Sequence, residues 1–164
     1  MKQDMALSFL ESRLVSGYSL GMGSGGRLTE NKFTVLCVDD EPAVLRPLEI
    51  MLQRRGFTVL AADNGHTAID IFRQSGKIDA VVLDYMMPEL SGGEVARLLR
   101  QENANIPIIL HTGYEDLDDP LLANVTCTLP KGSLNFLVTK LHDLLGASNV
   151  AQEPDTKPAP AHVA

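Results

Sequence analysis

The chain has 164 residues, enough for one domain with a proper core and too few for two of ordinary size. An apolar fraction of 45% argues against a disordered chain, and a net charge of −7 with a pI near 5.0 argues against direct nucleic-acid binding, which leaves a basic footprint. No apolar run approaches the roughly 20 residues of a membrane helix, and the short stretch Met5–Leu10 is followed at once by Glu11 and Arg13, unlike a signal peptide. A cytoplasmic protein without membrane insertion is expected.

Residues 1–31 read as a leader. Leu7, Leu10 and Leu14 share a helical face, so a short amphipathic helix fits there, and residues 16–26 (SGYSLGMGSGG) have the composition of a flexible linker. A disordered tail, or an upstream start with initiation at Met5 or Met22, is favoured over a functional anchor.

From residue 32 to 146, strand and helix patterns alternate. Strands are expected at 34–38, 58–62, 80–83, 108–111 and about 127–129. A helix begins at Pro42, a good first-turn residue, and buries Leu45, Leu48 and Leu52; Pro47 inside it should kink it or delay its start. A second covers about 65–74 with Ala68, Ile69 and Phe72 inward. A third starts at an N-cap, Ser91, and buries Val95, Leu98 and Leu99. The segment 114–124 is a weak helix, acidic and interrupted by Pro120, with 115–119 as a solvated loop. The last helix is capped by Ser133, buries Leu134, Leu137, Val138, Leu141, Leu144 and Leu145, leaves Phe136 exposed, and ends at Gly146. Residues 147–164, rich in Pro and Ala, should be a disordered tail.

Five strand–helix repeats imply an α/β fold with a doubly wound, five-stranded parallel sheet and helices on both faces, its ligand site beyond the strand C-termini. Asp39-Asp40, Asp84, Thr112 and Lys131 each follow or end a short apolar run, so a parallel sheet would gather them at one edge. Three carboxylates so close would repel one another; a hard divalent cation such as Mg²⁺, which takes oxygen ligands and keeps several waters, accounts for them. Lys131 supplies a compact charge for a phosphate oxygen or for Asp84, and Thr112 a hydroxyl donor. Phosphoryl transfer needs mainly positioning and charge neutralisation, and a carboxylate nucleophile can form an acyl phosphate.

The segments VLCVDDEP (35–42), VVLDYMMPELSGGE (81–94), IILHTG (108–113) and LPKG (129–132) resemble the receiver domain of two-component response regulators, over about residues 33–146. The resemblance implies the flavodoxin-like strand order 2-1-3-4-5, with strands 1 and 5 roughly 14 Å apart, too far for Cys37 and Cys127 to form a disulfide. It implies that Asp84 accepts a phosphoryl group from a sensor histidine kinase or a histidine phosphotransfer protein. Asp40, Asp84 and the backbone carbonyl of Met86 would ligate Mg²⁺, Asp39 would act through a water, Lys131 would pair with the phosphoryl group, and Thr112 would carry the switch, with Gly113 leaving space.

Three departures stand out. Gly132, not Pro, follows Lys131, and Thr128 stands where the family's switch aromatic is usual; the Thr112–Lys131 interval is also short. The expected function is a stand-alone phospho-acceptor, monomeric or weakly dimeric, that signals to an unknown downstream protein, relays phosphate, or drains it. A receiver-fold scaffold with little switching is the alternative. A haloacid-dehalogenase-type phosphatase is a remote one, because it wants an acid two residues after its nucleophile and Asp84 has Met86 there. Catalysis would be confined to transfer and loss of the protein's own phosphoryl group. Met87 is expected as core filler, and His111 as a satisfied structural residue.

Overall fold

A computed structural model describes residues 33–114, 117–132 and 134–150. The expectations for the leader, for Ser133, for residues 115 and 116 and for 151–164 lie outside them. Along the chain run β1 (Thr34–Val38), α1 (Pro42–Arg54), β2 (Thr58–Ala62), α2 (Gly65–Gln74), β3 (Ala80–Leu83), α3 (Gly92–Glu102), β4 (Ile108–Thr112), a 3₁₀ helix (Pro120–Asn124), β5 (Cys127–Pro130) and α4 (Leu134–Val150).

The sheet is parallel throughout, in the order β2-β1-β3-β4-β5. Central strands of such a sheet are covered on both faces and read as unbroken apolar runs. Accordingly β3 and β4 are buried along their whole length, and β1 beyond Thr34, whereas the edge strands β2 and β5 are only partly covered. Alternating strand residues divide the core in two. On one face Val35, Cys37, Val82 and Ile109 pack with Leu45, Leu48 and Leu52 of α1 and Leu137, Leu141 and Leu145 of α4. On the other, Leu36, Val38, Val81, Leu83, Ile108 and Leu110 pack with Ala68 and Ile69 of α2 and Val95, Ala96 and Leu99 of α3. Both cysteines are free thiols, Cys37 buried and Cys127 partly so, and burial pushes the Cys37 thiol well up.

Helix starts follow local chemistry. Asn64 caps α2 by accepting from the Thr67 amide at 2.8 Å, and Ser91 with Glu94 closes a reciprocal capping box on α3. The structure refines three helix expectations. Pro47 does not delay α1, which starts at Pro42; Pro47 and Ala43, whose carbonyl loses its donor, are both exposed, so water can take the missing hydrogen bond. Gly146 does not end α4, which continues to Val150: Gly146 is not among the left-handed residues, and a helix is stopped by glycine only where it turns into that region. The weak helix at 114–124 is reduced, within the described residues, to the 3₁₀ helix.

That short segment is held from outside. Arg100 of α3 donates from Nε to the Asn124 carbonyl at 2.9 Å and from a terminal nitrogen to Thr126 Oγ1 at 3.1 Å, while its other terminal nitrogen reaches the carbonyls of Ala104 and Ile106. Thr126 Oγ1 also accepts from the Ile108 amide, so one arginine fixes the end of the 3₁₀ segment to the start of β4.

Packing predicts unequal mutational costs. Leu141→Ala, at a fully buried position, should lower the unfolding free energy by about 2–5 kcal/mol in a denaturant titration. Ile50→Ala, half exposed on α1, should change it by about 0.5 kcal/mol or less.

Candidate functional site

The strand register brings the polar residues together. The Asp84 amide donates to the Val38 carbonyl at 2.9 Å, the Asp39 amide to the Ala62 carbonyl at 3.2 Å, and the Lys131 amide to the Thr112 carbonyl at 2.9 Å. Each ladder thus runs one residue past its strand, and Asp39, Asp84, Thr112 and Lys131 meet at the C-terminal edge. Asp39, Asp84 and Thr112 are buried, while Asp40 and Lys131 are partly exposed.

Carboxylate oxygens of Asp39, Asp40 and Asp84 lie within 4.8 Å of one another. Lys131 Nζ lies 2.8 Å from Asp39 Oδ2 and 3.1 Å from Asp84 Oδ1. Asp39 Oδ1 accepts from the Glu41 amide at 3.0 Å, which orients that side chain from its own loop. One ammonium against three carboxylates leaves two formal negative charges. Such a set of hard oxygen donors suits a divalent cation.

The charges follow their surroundings. Burial pushes the Asp84 acid above the ordinary carboxylate range, opposed by Lys131 and reinforced by Asp39. Burial alone would lower the Lys131 ammonium, but its hydrogen bonds to Asp39 and Asp84, with their charges, outweigh it and raise its pKa. Lys131 is held as a cation.

The loops fit tightly around Asp84. The Gly92 amide donates to the Tyr85 carbonyl at 2.8 Å, and a Cβ at Gly92 would collide with the Asp84 carbonyl oxygen. The Leu90 amide turns back to the Pro88 carbonyl at 2.8 Å, with Glu89 at φ 67°. Among the described residues no hydrogen bond engages the Met86 carbonyl, while its side chain is exposed; Met87 is buried in the core. After Lys131, Gly132 takes φ 102°, open to glycine without strain, and no peptide bond of the described residues is cis. Thr112 Oγ1 accepts from the Tyr114 amide at 3.3 Å, and a Cβ at Gly113 would meet nothing within 4 Å.

Two residues differ from expectation. His111 is not satisfied: it is buried beside Leu129, and its Nε2 has no partner among the described residues. Burial, then the charge of Lys131, lowers its pKa, partly offset by Asp39. Asp119 is not a plain solvated residue. Its Oδ2 accepts from the Tyr85 hydroxyl at 3.1 Å and its Oδ1 from the Leu121 amide at 2.8 Å, capping the 3₁₀ helix. Burial, with Asp119, raises the Tyr85 phenol pKa. The only sequence signal for this pair was that Tyr85 directly follows Asp84.

Residues 35–125 match the family described as the response regulator receiver domain. A probable transcriptional regulatory protein, TcrX, of Mycobacterium tuberculosis is 38% identical over 52% of this chain and 36% of its own length. The response regulator MprA of a Mycobacterium species (strain KMS) is 34% identical over 74% of this chain and 54% of its own. The chain therefore spans about half, or less, of these relatives. The response regulator protein TrrA of Thermotoga maritima, solved in complex with Mg(2+)-BeF, superposes with a TM-score of 0.61 at 35% identity, covering 66% of this chain and 98% of that one.

The raised acid of Asp84 sets a pH test. Between the ordinary carboxylate value near 4 and its raised folded value, the folded chain holds more proton than the unfolded chain. Its charge therefore costs stability as pH rises through that window. In buffer stripped of divalent cations, Asp84→Asn should melt above wild type at pH 7, and the gap should close below about pH 4. Equal melting temperatures at pH 7 would contradict the burial cost.

Proposed function

The chain belongs to the response regulator receiver domain family, and from that premise we propose that Asp84 accepts a phosphoryl group from a phosphohistidine of a sensor kinase or a histidine phosphotransfer protein. The observation that carries the reading is a buried Asp84 whose Oδ1 lies 3.1 Å from Lys131 Nζ, inside a cluster of three carboxylates. In the transfer, an Asp84 oxygen bonds to phosphorus, the phosphorus–nitrogen bond breaks, and the imidazole leaves with its electron pair.

Asp39, Asp40, Asp84 and the Met86 carbonyl would hold Mg²⁺, directly or through water. That ion supplies neutralisation of the charge on the transferring oxygens. Lys131 keeps Asp84 and Asp39 from repelling each other and then pairs with a phosphoryl oxygen. The Thr112 hydroxyl, which accepts from the Tyr114 amide, retains its own proton to donate to another. Gly92 lets the loop close on the Asp84 carbonyl without a side chain in the way. Chemistry is limited to this protein's own phosphotransfer and hydrolysis.

Output is proposed to run through protein contacts in the cytoplasm, from a monomer or weak dimer, with no nucleic acid bound by the receiver unit itself. Among the described residues no helix is long and apolar enough to cross a membrane. A scaffold reading with little switching is favoured by one observation: Thr128, in the place of the usual aromatic, is exposed and carries no ring. It predicts partner affinity indifferent to beryllofluoride with Mg²⁺; the switch reading predicts a change.

Acetyl phosphate with Mg²⁺ should label the protein stoichiometrically, and chelation should prevent it. Asp84→Asn should abolish labelling. Lys131→Ala should retain part of it while losing the conformational response. Full labelling of Asp84→Asn would contradict the assignment.

A further inference from the structure

Tyr85 follows Asp84 directly and donates through its hydroxyl to Asp119 Oδ2 at 3.1 Å. The same carboxylate caps the 3₁₀ helix through Oδ1, and the Asp119 carbonyl accepts from the Leu122 amide at 3.0 Å. Asp119 is therefore joined on one side to the residue beside the acceptor and on the other to the first turn of the segment that replaces the weak helix. The approach is permitted by Gly93 of α3: a Cβ there would lie 2.9 Å from both Asp119 Oδ2 and Leu121 Cβ. The far end of the segment is anchored independently by Arg100 at Asn124 and Thr126. Displacement of the loop after Asp84 would thus act on one end of a short element whose other end is fixed. Thr128 offers no ring to carry such a displacement along β5.

We propose that Tyr85 is a positioning residue that couples the Asp84 loop to the 3₁₀ segment through Asp119, so that residues 119–125 respond to the state of Asp84. The coupling rests on the reading of Asp84 as phosphoryl acceptor. It uses a hydrogen bond to a carboxylate, stronger and more directional than a neutral pair. Tyr85→Phe removes that bond while keeping the ring.

The test uses the full chain with beryllofluoride and Mg²⁺ as the probe and two readouts. Fluorine NMR reports occupancy at Asp84. Amide hydrogen exchange at Leu122 and Val125, whose amides donate to Asp119 and Leu122 within the segment, reports the response. In wild type the probe should bind and change exchange at both amides. In Tyr85→Phe the fluorine signal should persist and the change at both amides should be lost. Gly93→Ala, which displaces Asp119 with the tyrosine hydroxyl intact, should lose the same response. A wild-type-sized change in Tyr85→Phe would overturn the coupling, as would a bound fluorine signal in wild type with no change at these amides. A merely structural hydrogen bond would alter basal exchange in Tyr85→Phe yet leave the probe-induced change intact, which also overturns it. No bound fluorine signal in wild type would overturn the acceptor reading and the coupling with it.

Discussion

The ammonium of Lys131 is the contact on which the site depends. Two carboxylates, Asp39 and Asp84, are buried at the ends of adjacent strands, and a third, Asp40, has an oxygen within 4.8 Å of theirs. Buried like charges are strongly unfavourable unless paired. Lys131 contacts both buried acids, yet two negative charges stay uncompensated. The fold therefore carries excess negative charge at one edge of its sheet, which a divalent cation would offset. Burial is the main reason the Asp84 acid is raised, and the neighbouring charge of Asp39 adds to it.

The rest of the architecture makes this arrangement reproducible. Parallel pairing with fixed register places Asp39 and Asp84 one residue beyond Val38 and Leu83, which are themselves paired. The two cores clamp the sheet from both sides, so the strand ends cannot slide to separate the charges. Glycines serve where backbone must come close: Gly92 against the Asp84 carbonyl and Gly93 against Asp119. Lys131 reaches the acids from β5, a partly exposed edge strand, and the left-handed turn at Gly132 carries the chain from there toward α4.

Most of this was legible in the sequence, for identifiable reasons. Strands covered on both faces produce apolar runs with sharp polar ends, so β1 and β3 span 34–38 and 80–83 as expected, and the acids at their polar ends are the ones that cluster. Ser91 as an N-cap is a local signal of a helix start and needs no tertiary knowledge. What was not legible depends on partners distant in sequence. The Tyr85–Asp119 bond joins residues 34 apart with no periodicity between them. The unpartnered nitrogen of His111 depends on which side chains surround it. The end of α4 lies beyond Gly146 because glycine stops a helix through its conformation, not through its mere presence. The site's charge balance required the distance from Lys131 to two acids at once, which spacing cannot give.

The central claim is that, of three clustered carboxylates, Asp84 is the nucleophile. Borohydride reduces an acyl phosphate to an alcohol and so converts the phosphorylated aspartate to homoserine, which peptide mass spectrometry locates. After treatment with acetyl phosphate and Mg²⁺, then borohydride, the account predicts homoserine at position 84 and intact aspartate at 39 and 40. Homoserine at 39 or 40, or at none of the three, would contradict it.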